Sequence, residues 1–371
     1  VTADRVTPDD AATSTADTPR PRVHIPAPVG ALLAIVGGVA FAFQSRINGA
    51  VAGQFHDGFA AAALSFGVGA VVLLIGVALV PAGRRRAARL IRAIRSGDLP
   101  AWYLVAGAIG ANVVLAQSLT VAILGVAIFT VSLVAGQTIS GVLVDATGFG
   151  AREPRPPSRW RLIGSVLTII AVVWAVSPDF SGSTDLGAVI GPLVLPVISG
   201  LLYGFQQAMN GRIGAAAGTP MIPATTNFTA GAIVLVIAWA IKQAFVPTTG
   251  TFPTAWWAFL PGPLGIVAVS LSALLAPRLG VLLLGLGTIA GQLLGSLGLD
   301  LFAPAGGAHV AAATIGGTAL TFVAVLVATL PWQSQRRFAD AGRRARQEQE
   351  SHGNDDVDGP ARRTDADRPA R

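Results

Sequence analysis

The chain has 371 residues, of which 52% are hydrophobic and only 12% charged, and it contains no cysteine. An ordinary soluble domain carries about 25% charged residues, so this composition excludes a soluble globular protein and indicates one that lives in a bilayer. Lack of cysteine excludes disulfide scaffolds and thiolate metal sites. The net charge of +7 comes from 26 basic residues, of which only Lys242 is lysine. They cluster in loops and tails beside apolar spans, where an anionic inner leaflet is a better partner than nucleic acid.

In chain order, residues 1–27 are rich in Asp, Thr, Ala and Pro without a hydrophobic period, which predicts a disordered tail. They have no basic segment leading into an apolar one, as a signal peptide would. From Pro28 onward, ten apolar stretches approach the roughly 20 residues that a helix needs to cross a bilayer. They fall at about 29–47, 58–80, 101–120, 124–146, 161–177, 187–209, 220–242, 255–275, 280–302 and 308–330. Continuous apolar runs without period-two alternation specify helices rather than a barrel. After Pro331 comes a basic, then disordered tail of mixed Arg, Asp, Glu and Gln. The expected fold is therefore all-α and integral to the membrane, with ten transmembrane helices.

Two stretches repeat. Residues 134–145 and 289–300 share Ala135/Ala290, Gly136/Gly291, Gln137/Gln292 and Asp145/Asp300, a spacing of 155 that also pairs Trp102 with Trp257, Gly107 with Gly262, Gly110 with Gly265 and Gly125 with Gly280. Upstream the spacing becomes 162, pairing Phe43-Gln44 with Phe205-Gln206, Asn48-Gly49 with Asn210-Gly211, Phe66 with Phe228 and Gly69 with Gly231. The first copy thus holds seven extra residues, which fit the Arg-rich loop at 81–100. Self-similarity at long period marks a tandem duplication, here a first five-helix repeat at 28–178 and a second at 179–330.

An odd number of spans per copy forces the second copy to enter the membrane upside down. Arginine placement agrees with this inversion. The loop after helix 2 holds Arg84, Arg85, Arg86, Arg89, Arg92 and Arg95, and that after helix 4 holds Arg152, Arg155, Arg159 and Arg161, whereas the counterpart loop at 243–254 has none. By the positive-inside rule, even-numbered connections and both termini face the cytoplasm. Inverted repeats are a transporter signature, with the binding site expected near the midplane between the halves.

Polar residues in such spans are the candidates for function. Gln44 with Asn48, and Gln206 with Asn210, stand four apart near the ends of helices 1 and 6, so each pair points one way. The Asn-Gly steps read either as helix C-caps or as site residues; the glutamines either bond between helices or meet cargo. Gln137 and Asp145, like Gln292 and Asp300, are eight apart, about 12 Å along one face. The two aspartates read as ordinary helix ends, or as paired gates or proton-exchanging groups at opposite membrane surfaces. Small residues four apart (Ser132, Gly136, Ser140; Gly287, Gly291, Gly295) read as close packing between helices 4 and 9 or with their neighbours, ahead of direct contact with cargo. The run Leu260-Pro261-Gly262-Pro263, and Pro192 with Pro196, predict interrupted backbone lining a pathway. No catalytic constellation, cofactor motif or metal pattern is present: there is no Walker loop or nucleophile elbow, and His24, His56, His309 and His352 are scattered.

The motifs Phe43-Gln44 leading to Asn48-Gly49, Leu64-Ser65-Phe66, Leu274-Leu275-Ala276-Pro277-Arg278-Leu279-Gly280 and the Ala-Gly-Gln helices ending in Asp resemble the YdcZ-like inner-membrane group of the drug/metabolite transporter superfamily. The resemblance covers about 29–330 and implies a ten-helix inverted-repeat transporter. In the first half, Val121-Ala-Ile-Leu-Gly125 stands where the second has Ala-Pro-Arg-Leu-Gly. The expected function is a secondary transporter, an exporter of a small metabolite or drug-like compound of neutral or mildly polar character, in which one five-helix unit rocks against the other. A homodimer is among the expected assemblies. The alternatives are a membrane-embedded enzyme acting on lipid headgroups and a regulatory membrane subunit.

Overall fold

In hydrocarbon a backbone must satisfy its own hydrogen bonds, and long apolar runs do so as helices. The computed structural model describes residues 26–149, 159–182, 186–303 and 311–329. The tails expected at 1–27 and 331–371 therefore lie outside the described residues, apart from Pro26 and Ala27. Among the described residues every regular element is helical: α1 (Ala27–Phe55), α2 (Gly58–Leu79), α3 (Pro81–Arg95), α4 (Ala106–Thr147), α5 (Arg159–Gly182), α6 (Leu186–Ala217), α7 (Met221–Phe245), α8 (Pro261–Phe302) and α9 (Ala312–Thr329). Five stretches among them, including Pro28–Phe55, Gly58–Leu79 and Met221–Phe245, are long and apolar enough to cross a membrane, and Leu162–Ala175, Pro261–Leu271 and Ala312–Val327 are shorter apolar helices.

Helix α4 has 42 residues, about 63 Å of helix, twice the roughly 30 Å of a hydrocarbon core. It reverses direction at Gly125, whose φ of 78° and ψ of 164° interrupt the helix. Ahead of that glycine, Gly110 lies against Gln206 and Gly107 against Asn227. Around position 120, Leu119 packs on Gly58 and Val121 on Gly49. Beyond the glycine the chain returns, with Gly136 on Gly200 and Ser140 on Gly204. Two apolar arms joined by one positive-φ residue thus replace two helices joined by a loop. Glycine holds that conformation without the steric cost a Cβ brings.

Several local expectations are corrected. The Arg-rich loop contains a helix, α3, opened by Pro81 and anchored by buried Leu90, which packs with Leu99, Tyr103 and Ile213. Its arginines are good helix formers and leave one apolar face to bury. The Asn-Gly steps are not caps: α1 continues to Phe55 and α6 to Ala217. The helices end instead at the counterpart positions His56 (φ 49°) and Gly218 (φ 68°), both left-handed. Pro261 does not break a helix either. It stands in the first turn of α8, where its missing N–H is no loss, after a short 3-10 turn at Trp256–Phe259. Pro192 and Pro196 lie inside α6, which continues through them.

The small-residue ladders pack on neighbours rather than on each other. A Cβ on Gly136 would strike Val197 O and Leu201 N of α6, and one on Gly291 would strike Ile35 O of α1. Counterpart contacts repeat this pattern: Gly38 faces Thr288 and Gln292, while Gly200 faces Leu133 and Gln137. Gly69 abuts Phe228, and Gly231 abuts Phe66. The closest pairings thus join the two repeats: α1 with α8, α6 with the second arm of α4, α2 with α7, and α5 with α9. Helices α2 and α7 are antiparallel. Asp57, at the start of α2, meets Lys242 in the last turn of α7 at 2.8 Å, and Arg86, beyond the end of α2, meets Thr219, just before α7, at 3.1 Å. Counterpart helices running in opposite directions are what an inverted duplication requires.

Overpacking typically costs about 1–3 kcal/mol, and here the obstructing atoms are backbone. Gly38→Val and Gly200→Val should each lower stability by at least that much in thermal unfolding of the detergent-solubilised protein. Gly298→Val, whose Cβ meets nothing within 4 Å, should change it by less than about 0.5 kcal/mol.

Candidate functional site

Between the repeats lies a cavity of about 550 Å3, within the range of small-molecule sites. Its floor is made of counterparts. Phe66 and Phe228 stack with ring centroids 4.9 Å apart and planes inclined by 31°. Gln206 lies against Gly110 (a Cβ there would stand 2.6 Å from Nε2), and Gln44 lies against Gly265 at 2.9 Å on the same measure. Glycine at 110 and 265 therefore makes the room in which each glutamine from one repeat rests on the other.

From this floor the cavity runs along Gln206, Gln207, Asn210 and Gly214 to the Gly218–Pro220 turn, where Gly218 and Pro220 are exposed. Arginines rim this mouth. Arg86 Nη1 donates to Thr219 Oγ1 at 3.1 Å, and Arg89 Nη1 lies 3.3 Å from where a Gly218 Cβ would be. A more open, Arg-rich groove lined by Arg89, Arg92, Arg95 and Asp98 adjoins it. Among the described residues that line the cavity itself, none is charged.

The opposite end is closed. Asn48 is fully buried, and its Nδ2 donates to Gln117 Oε1 at 2.8 Å. Beyond it, Asp300 reaches from α8 to the start of the second arm of α4, accepting from Val126 N at 3.0 Å and Ala127 N at 2.6 Å. Those N–H groups follow the break at Gly125 and have no helical partner behind them, so a carboxylate from the other repeat caps them. Arg46 supplies the nearby positive charge. Outermost, Asp57 caps α2 through Phe59 N at 2.9 Å and Ala60 N at 3.3 Å. Its other oxygen accepts from Lys242 Nζ at 2.8 Å and Thr248 Oγ1 at 2.6 Å. Gly250 N and Thr251 N donate to Phe55 O and Gln54 O at 3.0 and 3.1 Å, sewing the chain after α7 to the end of α1.

Of the residues singled out from sequence, Gln44, Gln206, Asn210 and Gln292 line one cavity. Asn48 does not: it belongs to the closed end. Gln137 lies where α4 and α6 touch, its backbone N 2.9 Å from a Gly200 Cβ. Asp145 lies within α4, and its side chain is outside the described residues. Asp300 lies in the last turn of α8, 5% exposed and bonded across the repeats. Sequence reasoning missed Gln117, which is buried at 0% exposure, because its repeat counterpart is Ser272 rather than an amide. It also missed Asn227, a cavity residue whose counterpart is Ser65; an amide in mid-span was the available signal. The Asp57–Lys242 pair was legible only as two isolated charges.

Apolar helices long enough to cross a bilayer, with an uncharged cavity between two repeats, define an integral membrane protein with a hollow at its seam. The chain matches the DMT_YdcZ profile, described as "Putative inner membrane exporter, YdcZ", over residues 29–174 and 191–327, and it belongs to this family. The two matched segments correspond to the two repeats. Comparison with curated proteins finds no match.

Two measurements probe the ends of the site. The chain has no cysteine, so Asn210→Cys should react readily with a water-soluble maleimide while Asn48→Cys stays unreactive until denaturation. At the latch, burial pushes the Asp57 carboxyl up, but Lys242, Thr248 and the Ala60 and Phe59 N–H groups outweigh it, leaving its pKa below the ordinary 3.8. A lowered folded value means stability that is complete above the unfolded pKa and lost as pH falls through the folded one. Asp57→Asn should therefore be less stable than the parent by about 1–3 kcal/mol from pH ~8 to ~5, with the gap shrinking below pH ~4.

Proposed function

We propose that this protein is a secondary transporter, an exporter of a small metabolite or drug-like compound, working by alternating access. The observation that carries the reading is the cavity at the seam between counterpart helices, with an open mouth at Gly218–Pro220 and a closed end at Asn48, Gln117 and Asp300. In this reading there are ten spans, because α4 and α8, at 42 residues each, make two crossings apiece. The repeats divide near residue 178. The arginine-rich mouth and both termini lie in the cytoplasm, so the conformation is open inward. Asp145 would occupy the place at the cytoplasmic end that Asp300 takes at the other. A gradient supplies the energy, since the sequence has no nucleotide-binding motif.

The moving bodies in this reading are mixed pairs rather than the two sequence halves. Backbone-to-backbone contacts at Gly38, Gly136, Gly200 and Gly291 bind α1 to α8 and α6 to α4, and packed interfaces of that kind shift as units. Opening the closed end then means parting Asn48 from Gln117 while α1 stays on α8.

In proteoliposomes, saturable, gradient-driven movement of an unmodified solute without ATP is expected; chemical conversion of that solute, or its absence from the lumen, would sink the reading. Cross-linking Asn48→Cys to Gln117→Cys should arrest transport by at least about tenfold. Cross-linking Ala42→Cys to Gly295→Cys, where a Cβ added to Gly295 would stand 3.1 Å from that of Ala42, should leave most of it. Reporters inserted at 81–100 and 243–254 should lie on opposite sides of the membrane.

A further inference from the structure

The cavity's chemistry limits what it can carry. Six amide side chains line it, and in four of them, Gln206, Asn210, Asn227 and Gln292, the carbonyl oxygen is buried with no hydrogen-bond partner among the described residues. Gln206, Asn227 and Gln292 are 5%, 6% and 2% exposed. Buried polar atoms in folded proteins are overwhelmingly paired, so four unpaired acceptors around one hollow mark a place that receives donors from something else. The stacked rings of Phe66 and Phe228 form the apolar floor beside them.

Charge is decided by what is missing from the lining and what stands at its rim. None of the described lining residues is acidic or basic, so an ion entering would surrender its hydration with no opposite charge to meet it. An organic cation meets a second obstacle, because the mouth is flanked by Arg86 and Arg89. An anion would be drawn to that rim, but past it would find no positive charge to replace its hydration and the negative faces of the two rings.

Resting on the transport reading above, we infer that the cargo is an uncharged small molecule with a flat apolar face and several N–H or O–H donors. The carbonyls of Gln206, Asn210, Asn227 and Gln292 accept its donors while the Phe66–Phe228 floor takes its ring. Selection against ions comes from the cavity's neutrality. The arginines act at the entrance.

Four probes sharing one ring system test this by equilibrium binding to the full-length protein in detergent: indole-3-acetamide (neutral, three donors), its N,N-dimethyl amide (one donor), indole-3-acetate and tryptamine. Indole-3-acetamide should bind at least about tenfold more tightly than either ion and more tightly than the dimethyl amide. Gln206→Leu should weaken it, and Gln206→Glu, by adding a carboxylate, should transfer the preference to tryptamine. Gln292→Glu, on another helix, provides the same reversal should the first variant fail to fold. Equal or tighter binding of an ion, indifference to the amide donors, or no binding by any of the four overturns the inference. Counterflow in vesicles separates the two readings. A neutral probe that binds but is never translocated defeats transport and leaves the cargo class standing, whereas translocation of tryptamine or indole-3-acetate by the parent protein defeats the cargo class alone.

Discussion

Helix axes approach closely only where no Cβ stands between them, and in lipid, where apolar side chains gain nothing by leaving the solvent, that close approach is the main source of cohesion. Here it is concentrated between the repeats. Gly136 and Gly200 bring α4 against α6, and Gly38 and Gly291 bring α1 against α8. Everything else follows from these two seams. They fix which helices share a wall, and they lock one half of the molecule into the other so that neither makes a complete bundle alone. The cavity is the space left where glutamines and phenylalanines replace the small residues.

The scaffold is symmetric, but its ends are not. At one, a carboxylate bonded to Lys242, Thr248 and two backbone amides joins α2 to α7. At the other, the counterpart position of Asp57 is Thr219, an uncharged hydroxyl that accepts from Arg86 Nη1 at 3.1 Å and from Met221 N at 3.4 Å. The sealed end also holds the Asn48–Gln117 bond, whereas Asn210, the counterpart of Asn48, faces open space in the cavity. Duplication supplies two equivalent ends, and divergence at a few polar positions makes them unequal in strength.

Asp300 shows how a polar group becomes tolerable at depth. A buried carboxylate is costly unless its charge and lone pairs are met. Two N–H groups exposed by the break at Gly125 meet them, and the same N–H groups would otherwise be orphaned. Break and acid thus compensate one another across the repeat boundary. Neither is a solitary defect.

The class of fold was legible in the chain because apolar run length is a local, additive signal. The duplication was legible because glycine and glutamine recur at fixed spacing. These also singled out Gln44, Gln206, Asn210 and Gln292, since an amide in an apolar helix must find a partner or a use. Which helices adjoin was decided only in three dimensions. The sequence shows that Gly136 and Gly291 sit on small-residue faces but cannot say that α6 and α1 cover them, and it cannot separate Asn48 at a sealed end from Asn210 in a cavity. Nor could it reveal Gln117, Asp57 with Lys242, or the cap from Asp300, because those partners lie 69 to 185 positions apart. Pairing at such distance is set by the packing of glycine seams, a property of surfaces brought together and not of any one stretch of chain.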